Sequence, residues 1–360
     1  MAVRILVGDA SERLRDMPDE SVHCVVTSPP YFGLRDYGTA QWDGGEAACD
    51  HIEVQPQARE GRETPGGRGG SFPHSERPFK RQCGKCGALR IDRQIGLEPS
   101  PAEYVETLVA VFREVRRVLR KDGTLWLNLG DSYNANQGSG FDTNQDGGER
   151  KRLAASPRTS SGGLPPKNLL GIPWRVAFAL QADGWWLRQD IIWSKPNPMP
   201  ESVQDRCTKA HEYMFLLSKS ERYWFDQDAI AEPCKFPEGS WGRTSKYDGE
   251  DTGKFRTKYG DGRRWEGAET RNKRSVWEIA TAPYPEAHFA TFPPALVEPC
   301  ILAGAPRGGT VLDPFGGAGT TALVADRLGR DAFLIELNPA YAEMARSRVI
   351  DDAGMFAEVA

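Results

Sequence analysis

Short apolar runs alternate with longer amphipathic ones along this chain, a pattern that predicts an α/β fold. Val3 to Val7 reads as a strand ending at Gly8-Asp9, Ser11 to Met17 as a helix or turn, and His23 to Thr27 as a second strand. That strand delivers the chain into Ser28-Pro29-Pro30-Tyr31, where two successive prolines stop it. Each proline lacks a backbone donor and restricts its predecessor, so a stiff loop follows. From Ala102 to Leu119 the apolar positions Val105, Leu108, Val109, Phe112, Val115 and Leu119 recur at helical spacing. Lys121-Asp122-Gly123 is expected to end this helix, and Thr124 to Leu129 to be a buried strand completing a crossover. Later segments predict a helix from Gly171 to Leu180, strands Trp185 to Trp193 and Tyr213 to Ser218, and a helix from Pro294 to Leu302. A strand Thr310 to Leu312, a helix Thr320 to Leu328 and a strand Asp331 to Ile335 follow.

Three segments break the pattern. Residues 42–95 form a polar, Gly-rich insertion, and 134–166 lack the apolar side chains that would offset the entropy of ordering them, so a flexible loop that settles only on a bound partner is expected there. Residues 231–275 carry 11 Lys or Arg against 8 Asp or Glu, interleaved with Trp241, Tyr247, Phe255, Tyr259 and Trp265. Such a mixture suits a surface that follows a phosphate backbone, although a solvated irregular subdomain has the same composition. The organisation read from these breaks is a core in three pieces, 1–41, 96–230 and 276–360, interrupted by the insertion and by the basic-aromatic region.

With 360 residues and 39% apolar content, the chain is long enough for a large core. A formal net charge of -4 argues against a protein that coats nucleic acid non-specifically, but leaves room for local basic clusters. Arg4 and Asp9 come too early for a secretory signal, and no window offers about 18 uninterrupted apolar residues. A cytoplasmic protein with no membrane partner is the expectation. Seven cysteines, an odd number, fit reducing conditions better than a disulfide framework.

Two stretches carry chemistry. Asp313-Pro314-Phe315-Gly316-Gly317-Ala318-Gly319-Thr320 is a strand end, a Gly-rich turn and a helix start, with Glu336 placed 23 residues after Asp313 to accept from ribose hydroxyls. Spacing alone does not separate a dinucleotide from S-adenosylmethionine. Asp313 is a poor neighbour for phosphate, however, and can instead pair with a cationic methionine portion. In the other stretch, Ser28 supplies a hydroxyl acceptor, Pro29 a rigidly projected carbonyl, and Tyr31 a ring that can stack on an extruded base.

With both stretches in view, the sequence resembles the DNA amino-methyltransferases of the circularly permuted class, in which the catalytic motif precedes the cofactor motif. Thr27-Ser28-Pro29-Pro30-Tyr31 matches the first motif and Asp313 to Thr320 the second. The resemblance implies a Rossmann-like S-adenosylmethionine-dependent methyltransferase fold acting on double-stranded DNA. Ser28, Pro29, Pro30 and Tyr31 would be catalytic. Phe315 and Gly317 would line the methionine side of the cofactor, Glu336 would hold its ribose, and Asp9 would lie near its adenine. Thr27, Pro314, Gly316 and Gly319 belong to the same pocket by this resemblance, and the segment containing His288 would close it. Asp190 to Pro196 would wall the base pocket, and 231–275 would be the target-recognition region. Ser at position 28 points to cytosine N4, with adenine N6 as the alternative. The resemblance also admits a homodimer and a cognate restriction endonuclease as partners.

A C5-cytosine mechanism needs a cysteine nucleophile. Pro299-Cys300 invites it, but Leu296, Val297, Cys300 and Ile301 form an apolar helical pattern that reads as core. Cys83-Gly84-Lys85-Cys86 has the spacing of metal ligands, and Cys49 with His51 can complete a structural zinc site, His74 being a competing ligand. Rival readings are a non-catalytic DNA-binding module, a nicotinamide-dependent oxidoreductase, and a methyltransferase for RNA or protein.

Overall fold

The computed structural model describes residues 1–33, 37, 39–46, 48–50, 83–134, 164–234, 269–282, 291–353 and 358–359. The expected flexible loop 134–166 and target-recognition region 231–275 lie mostly outside these residues, as do His51, His74 and His288.

The chain begins with strand β1 (Ala2–Val7), helix α1 (Ala10–Arg15) and strand β2 (Val22–Thr27). A small hairpin, β3 (Gln41–Asp43) and β4 (Leu89–Ile91), flanks the insertion. Helix α2 (Pro101–Val118) is capped by Ser100, whose hydroxyl accepts from the Glu103 amide at 3.3 Å. Strand β5 (Leu119–Leu129), helix α3 (Ile172–Ala182), and strands β6 (Trp186–Ser194) and β7 (His211–Ser218) follow. A short pair, β8 (Glu232–Pro233) with β9 (Thr270–Arg271), and strand β10 (Val276–Glu278) lead to helix α4 (Pro294–Gly304). The chain then forms β11 (Thr310–Asp313), α5 (Thr320–Arg327), β12 (Asp331–Glu336), α6 (Pro339–Ala353) and β13 (Glu358–Val359).

Among the described residues, nine strands form one sheet in the order β10-β6-β7-β5-β2-β11-β12-β1-β13, with β7 antiparallel to both of its neighbours and every other pair parallel. Helices cover both faces, which is why the central strands read as nearly continuous apolar runs. Leu125, Leu127 and Leu129 of β5 pack with Leu108, Phe112 and Val115 of α2 and Val176 and Leu180 of α3. Trp126, pointing the other way, joins Leu296, Val297 and Ile301 of α4 and Ala322 of α5.

One expectation fails at the α2–β5 junction. Lys121-Asp122-Gly123 does not form a terminating turn, because β5 starts at Leu119 immediately after the helix. Val22 pairs with Leu119 and Cys24 with Thr124, so the extra residues are absorbed as a bulge in the strand. Gly123 fits there because a Cβ would sit 2.6 Å from Leu119 Cδ1. Helix α6 and strand β10 add to the elements expected from periodicity.

Two loops leave the carboxyl ends of the adjacent parallel strands β2 and β11, where open α/β sheets bind ligands. One is the Ser28 loop and the other the Gly-rich loop, joined in space although nearly the whole chain separates them. No helix among the described residues is long and apolar enough to cross a membrane.

Candidate active site

The two loops open into one cavity of about 950 Å³. At one end it is lined by Gly8, Asp9, Phe315, Gly317 and Glu336, and at the other by Ser28, Pro29, Pro30, Tyr31, Trp193 and Lys195.

Below the cavity, Thr27 and Asp313 tie the strands together. The Thr27 hydroxyl donates to Asp313 Oδ1 at 2.6 Å, the Thr321 hydroxyl donates to Oδ2 at 2.8 Å, and the Phe315 amide donates to Oδ1 at 3.0 Å. Thr27 is fully buried and Asp313 is 1% exposed. The expected pairing of Asp313 with a cationic cofactor is therefore corrected: its carboxylate is enclosed, and it shapes the loop from beneath. Burial pushes this carboxyl up to about 6, against the pull of its three donors. Gly319 likewise lies under the cavity. Its φ of 76° suits glycine, and a Cβ there would sit 2.8 Å from Ala345 Cβ on α6.

At the Gly-rich end, Glu336 Oε2 accepts from the Gly317 amide and Oε1 from the Asn338 amide, each at 2.8 Å. Burial raises its pKa, and the amides of Asn338 and Gly317 oppose the shift. Asp9 caps α1 by accepting from the Glu12 amide at 3.1 Å. Pro314, Gly316 and Thr320 also line this end, and the Thr320 hydroxyl accepts from Arg348 at 2.9 Å. Phe292, Ile335 and Tyr341 supply apolar wall. Thr291 and Phe292, from the segment expected to close the pocket, do line it.

The Ser28 end is a hydrogen-bonded network. Tyr104 on α2 donates its hydroxyl to the Pro30 carbonyl at 2.8 Å, holding the loop from behind. No donor among the described residues satisfies the Pro29 carbonyl. The Tyr31 ring rests over Gly130, where a Cβ would come within 2.5 Å of the ring, and its hydroxyl donates to Glu212 Oε2 at 2.7 Å. Burial, then the charge of Glu212, pushes the Tyr31 hydroxyl well above its ordinary pKa. Asn128 donates to the Tyr213 carbonyl at 3.1 Å and to Glu212 Oε2 at 3.3 Å. With its amide thus oriented, Asn128 Oδ1 accepts from the Ser28 hydroxyl at 3.1 Å. Ser28 therefore spends its proton inward and turns lone pairs toward the cavity. Glu212 also pairs with Lys195, whose ammonium lies 4.3 Å from the centre of the Trp193 ring.

Of the expected wall Asp190 to Pro196, only Trp193 and Lys195 reach the cavity, while Asp190 is exposed. Asn128, Glu212 and Tyr104 are members of the site that the sequence pattern does not single out. Asn128 carries a usable signal, since an amide side chain set within the apolar run Leu125 to Leu129 must find partners when buried. Glu212 and Tyr104 carry none, because nothing in the sequence shows which strand or helix faces the loop. Cys300 is fully buried and donates to the Leu296 carbonyl at 3.2 Å. Burial raises its thiol well above its ordinary pKa, which suits core packing and not nucleophilic attack. Cys49, Cys83 and Cys86 come together away from the cavity.

The chain shows clear likeness to known proteins. A family model described as DNA methylase matches residues 22–347. The type II methyltransferase M.SmaI of Serratia marcescens is 40% identical over 347 residues, covering 96% of this chain and 90% of that protein. Among solved structures, TTHA0409 from Thermus thermophilus, complexed with S-adenosyl-L-methionine, aligns with a TM-score of 0.52 at 23% identity over 99% of both chains. PvuII DNA methyltransferase, described as cytosine-N4-specific, aligns with a TM-score of 0.53 at 17% identity, over 97% of this chain and 90% of its own. Both structures share the fold.

Proposed function

The chain belongs to the DNA methylase family, and we propose that within it this protein transfers a methyl group from S-adenosylmethionine to the exocyclic N4 amine of a cytosine swung out of double-stranded DNA. The observation that carries this reading is the single cavity shared by the Ser28 loop and the Gly-rich loop.

The residues present fit the cofactor. Two carboxylates, Asp9 and Glu336, face the Gly-rich end beside apolar Phe315 and Ile335. That lining favours a nucleoside joined to a cationic chain and opposes a diphosphate, which also disfavours a nicotinamide cofactor. Glu336 would hold the ribose, Phe315 and Gly317 the methionine side, and Asp9 would lie near the adenine. When bound, S-adenosylmethionine would supply a methyl group already activated by its sulfonium, which would pass from sulfur to the amine nitrogen and leave the thioether behind.

The protein's task is then to place the amine and accept hydrogen bonds from its N–H groups, the one proton lost on methylation passing to solvent. The Pro29 carbonyl and the lone pairs of Ser28 are the acceptors, and they draw electron density toward the amine nitrogen. Tyr31, pinned through its hydroxyl to Glu212, offers its ring to the base. The Glu212–Lys195 pair and Asn128 keep that arrangement rigid through their bonds to Tyr31 and Ser28.

Cytosine N4 is preferred over adenine N6 because the first residue of the loop is Ser28, a hydroxyl acceptor, and PvuII methyltransferase, which shares the fold, is described as cytosine-N4-specific. The order of the two loops along the chain supports the circularly permuted arrangement. The type II name of the M.SmaI relative supports a restriction-modification setting, with a cognate endonuclease and a bacterial cytoplasm as its context. A homodimer and a target-recognition role for 231–275 belong to the same reading.

The test is nucleoside mass spectrometry on DNA incubated with the protein and S-adenosylmethionine. N4-methylcytosine is expected. N6-methyladenine alone would overturn the choice of base, and no methylated nucleoside in DNA despite cofactor binding would overturn the DNA substrate.

A further inference from the structure

Away from the active site, the two ends of the insertion converge at the β3–β4 hairpin, whose register pairs Gln41 with Ile91 and Asp43 with Leu89. Beyond β3, the Cys49 amide donates to the Glu46 carbonyl at 3.0 Å and presents Cys49 from one side. Ahead of β4, Cys83 to Gly87 make a tight turn. The Gly87 amide donates to the Cys83 carbonyl at 3.0 Å, the Cys83 amide donates to the Ala88 carbonyl at 2.7 Å, and Gly87 has a φ of 76°. The turn leaves Cys83 and Cys86 facing Cys49, and all three sulfurs lie within 4.8 Å of one another.

The separation of Cys49 Sγ and Cys83 Sγ is 3.8 Å. A disulfide requires about 2.05 Å. Two thiolates about 2.3 Å from one tetrahedral ion are about 3.8 Å apart. The neighbourhood is built around the sulfurs: a Cβ on Gly45 would sit 2.7 Å from Cys86 Sγ, and Lys85 pairs with Asp50 at 2.7 Å, joining the two turns by charge. We propose that Cys49, Cys83 and Cys86 bind a single Zn²⁺ as thiolates, supplying three of the four ligands of a tetrahedral site. Each thiol releases its proton on binding, and the ion undergoes no change of oxidation state. A soft, all-sulfur set favours zinc over magnesium or calcium.

The ion would act as a staple for a wall of the cavity. Past β4, Asp92 Oδ1 accepts from the Thr39 hydroxyl at 3.0 Å, and Gln94 Oε1 accepts from the Tyr37 amide at 2.7 Å. Tyr37, Thr39 and Gln94 all line the cavity. Among the described residues of the insertion, Cys83, Ala88 and Ile95 are the buried apolar side chains, and Ile95 belongs to the main core, which leaves too little to hold this hairpin by packing. This inference does not depend on which base, or which polymer, is methylated.

Its test is elemental analysis of the full-length protein purified without chelator. One zinc per chain is expected, lost in Cys83→Ser and in Cys86→Ser but retained in Cys207→Ser, which alters an exposed thiol elsewhere. A second measurement covers variants that fail to fold: in the wild-type protein, a mercurial thiol reagent should release zinc to a colorimetric chelator, and Co²⁺ substitution should give a thiolate charge-transfer band with tetrahedral ligand-field absorption. Wild-type protein that holds neither zinc nor cobalt, or equal zinc in Cys83→Ser and wild type, would overturn the proposal.

Discussion

The Thr27 hydroxyl donates to Asp313 Oδ1 at 2.6 Å, joining the last residue of β2 to the last residue of β11 directly beneath both functional loops. This bond spans the parallel pairing of the two strands and sets how far apart the Ser28 ledge and the Gly-rich turn stand.

Thr27→Val keeps the shape of the side chain and removes the donor. A buried carboxylate that loses one of its donors should cost about 1–3 kcal/mol of stability. Denaturant unfolding of the two proteins measures this; a change within error would mean that the bond contributes nothing.

Asp313 also gives stability a pH dependence. Its carboxyl is raised from the ordinary 3.8 to about 6, chiefly by burial, so the folded state holds that proton more tightly than the unfolded chain. The resulting contribution favours folding fully below about pH 4 and is lost as the pH rises through about 6. Asp313→Asn abolishes this titration, so its stability relative to wild type should rise between those pH values. Unfolding midpoints of both proteins across the range test this, and a constant difference would rule it out.

Glu212 is expected to act by positioning. Glu212→Gln weakens its ion pair with Lys195 and its charge-assisted bond from Tyr31, so kcat should fall about tenfold or more while the KM for S-adenosylmethionine stays unchanged. Tyr31→Phe should lower kcat similarly, and the double variant should be little worse than either single one. Strictly additive losses would show that the two residues act separately.

Cys300→Ala should retain methyl transfer, because its thiol packs against Leu296 in the α4 layer, away from the cavity. A stability loss of about 1–2 kcal/mol is expected from the deleted buried group. A folded variant without activity would reinstate the cysteine as a participant in the reaction.

Much of this was legible in the sequence because local chemistry dictated it. The Ser28-Pro29-Pro30 loop must end its strand, and the glycines of the second loop permit turns that other residues resist. What escaped were relationships across the sheet. Asp313 was expected to face the ligand, since a carboxylate beginning a cofactor loop looks like a contact; only the burial of Thr27 and Thr321 around it reveals an internal role. Glu212 and Tyr104 reach the Ser28 loop from β7 and α2, and periodicity within one segment cannot show what another segment brings to it. The bulge after α2 was missed for a similar reason: Lys121-Asp122-Gly123 has turn composition, but pairing with β2 kept it in the strand.

The placement of β2 between β5 and β11 bears on how the protein is made. β5 is synthesised soon after β2, but β11 follows only near the other end of the chain. A nascent polypeptide emerging from the ribosome therefore carries the Ser28 loop on a strand with one bare edge until residues 310–336 appear, and pairing across so long a separation is slow. Because both loops line one cavity, a chain that stops short of residue 310 lacks half of that cavity, and the two halves become useful only together.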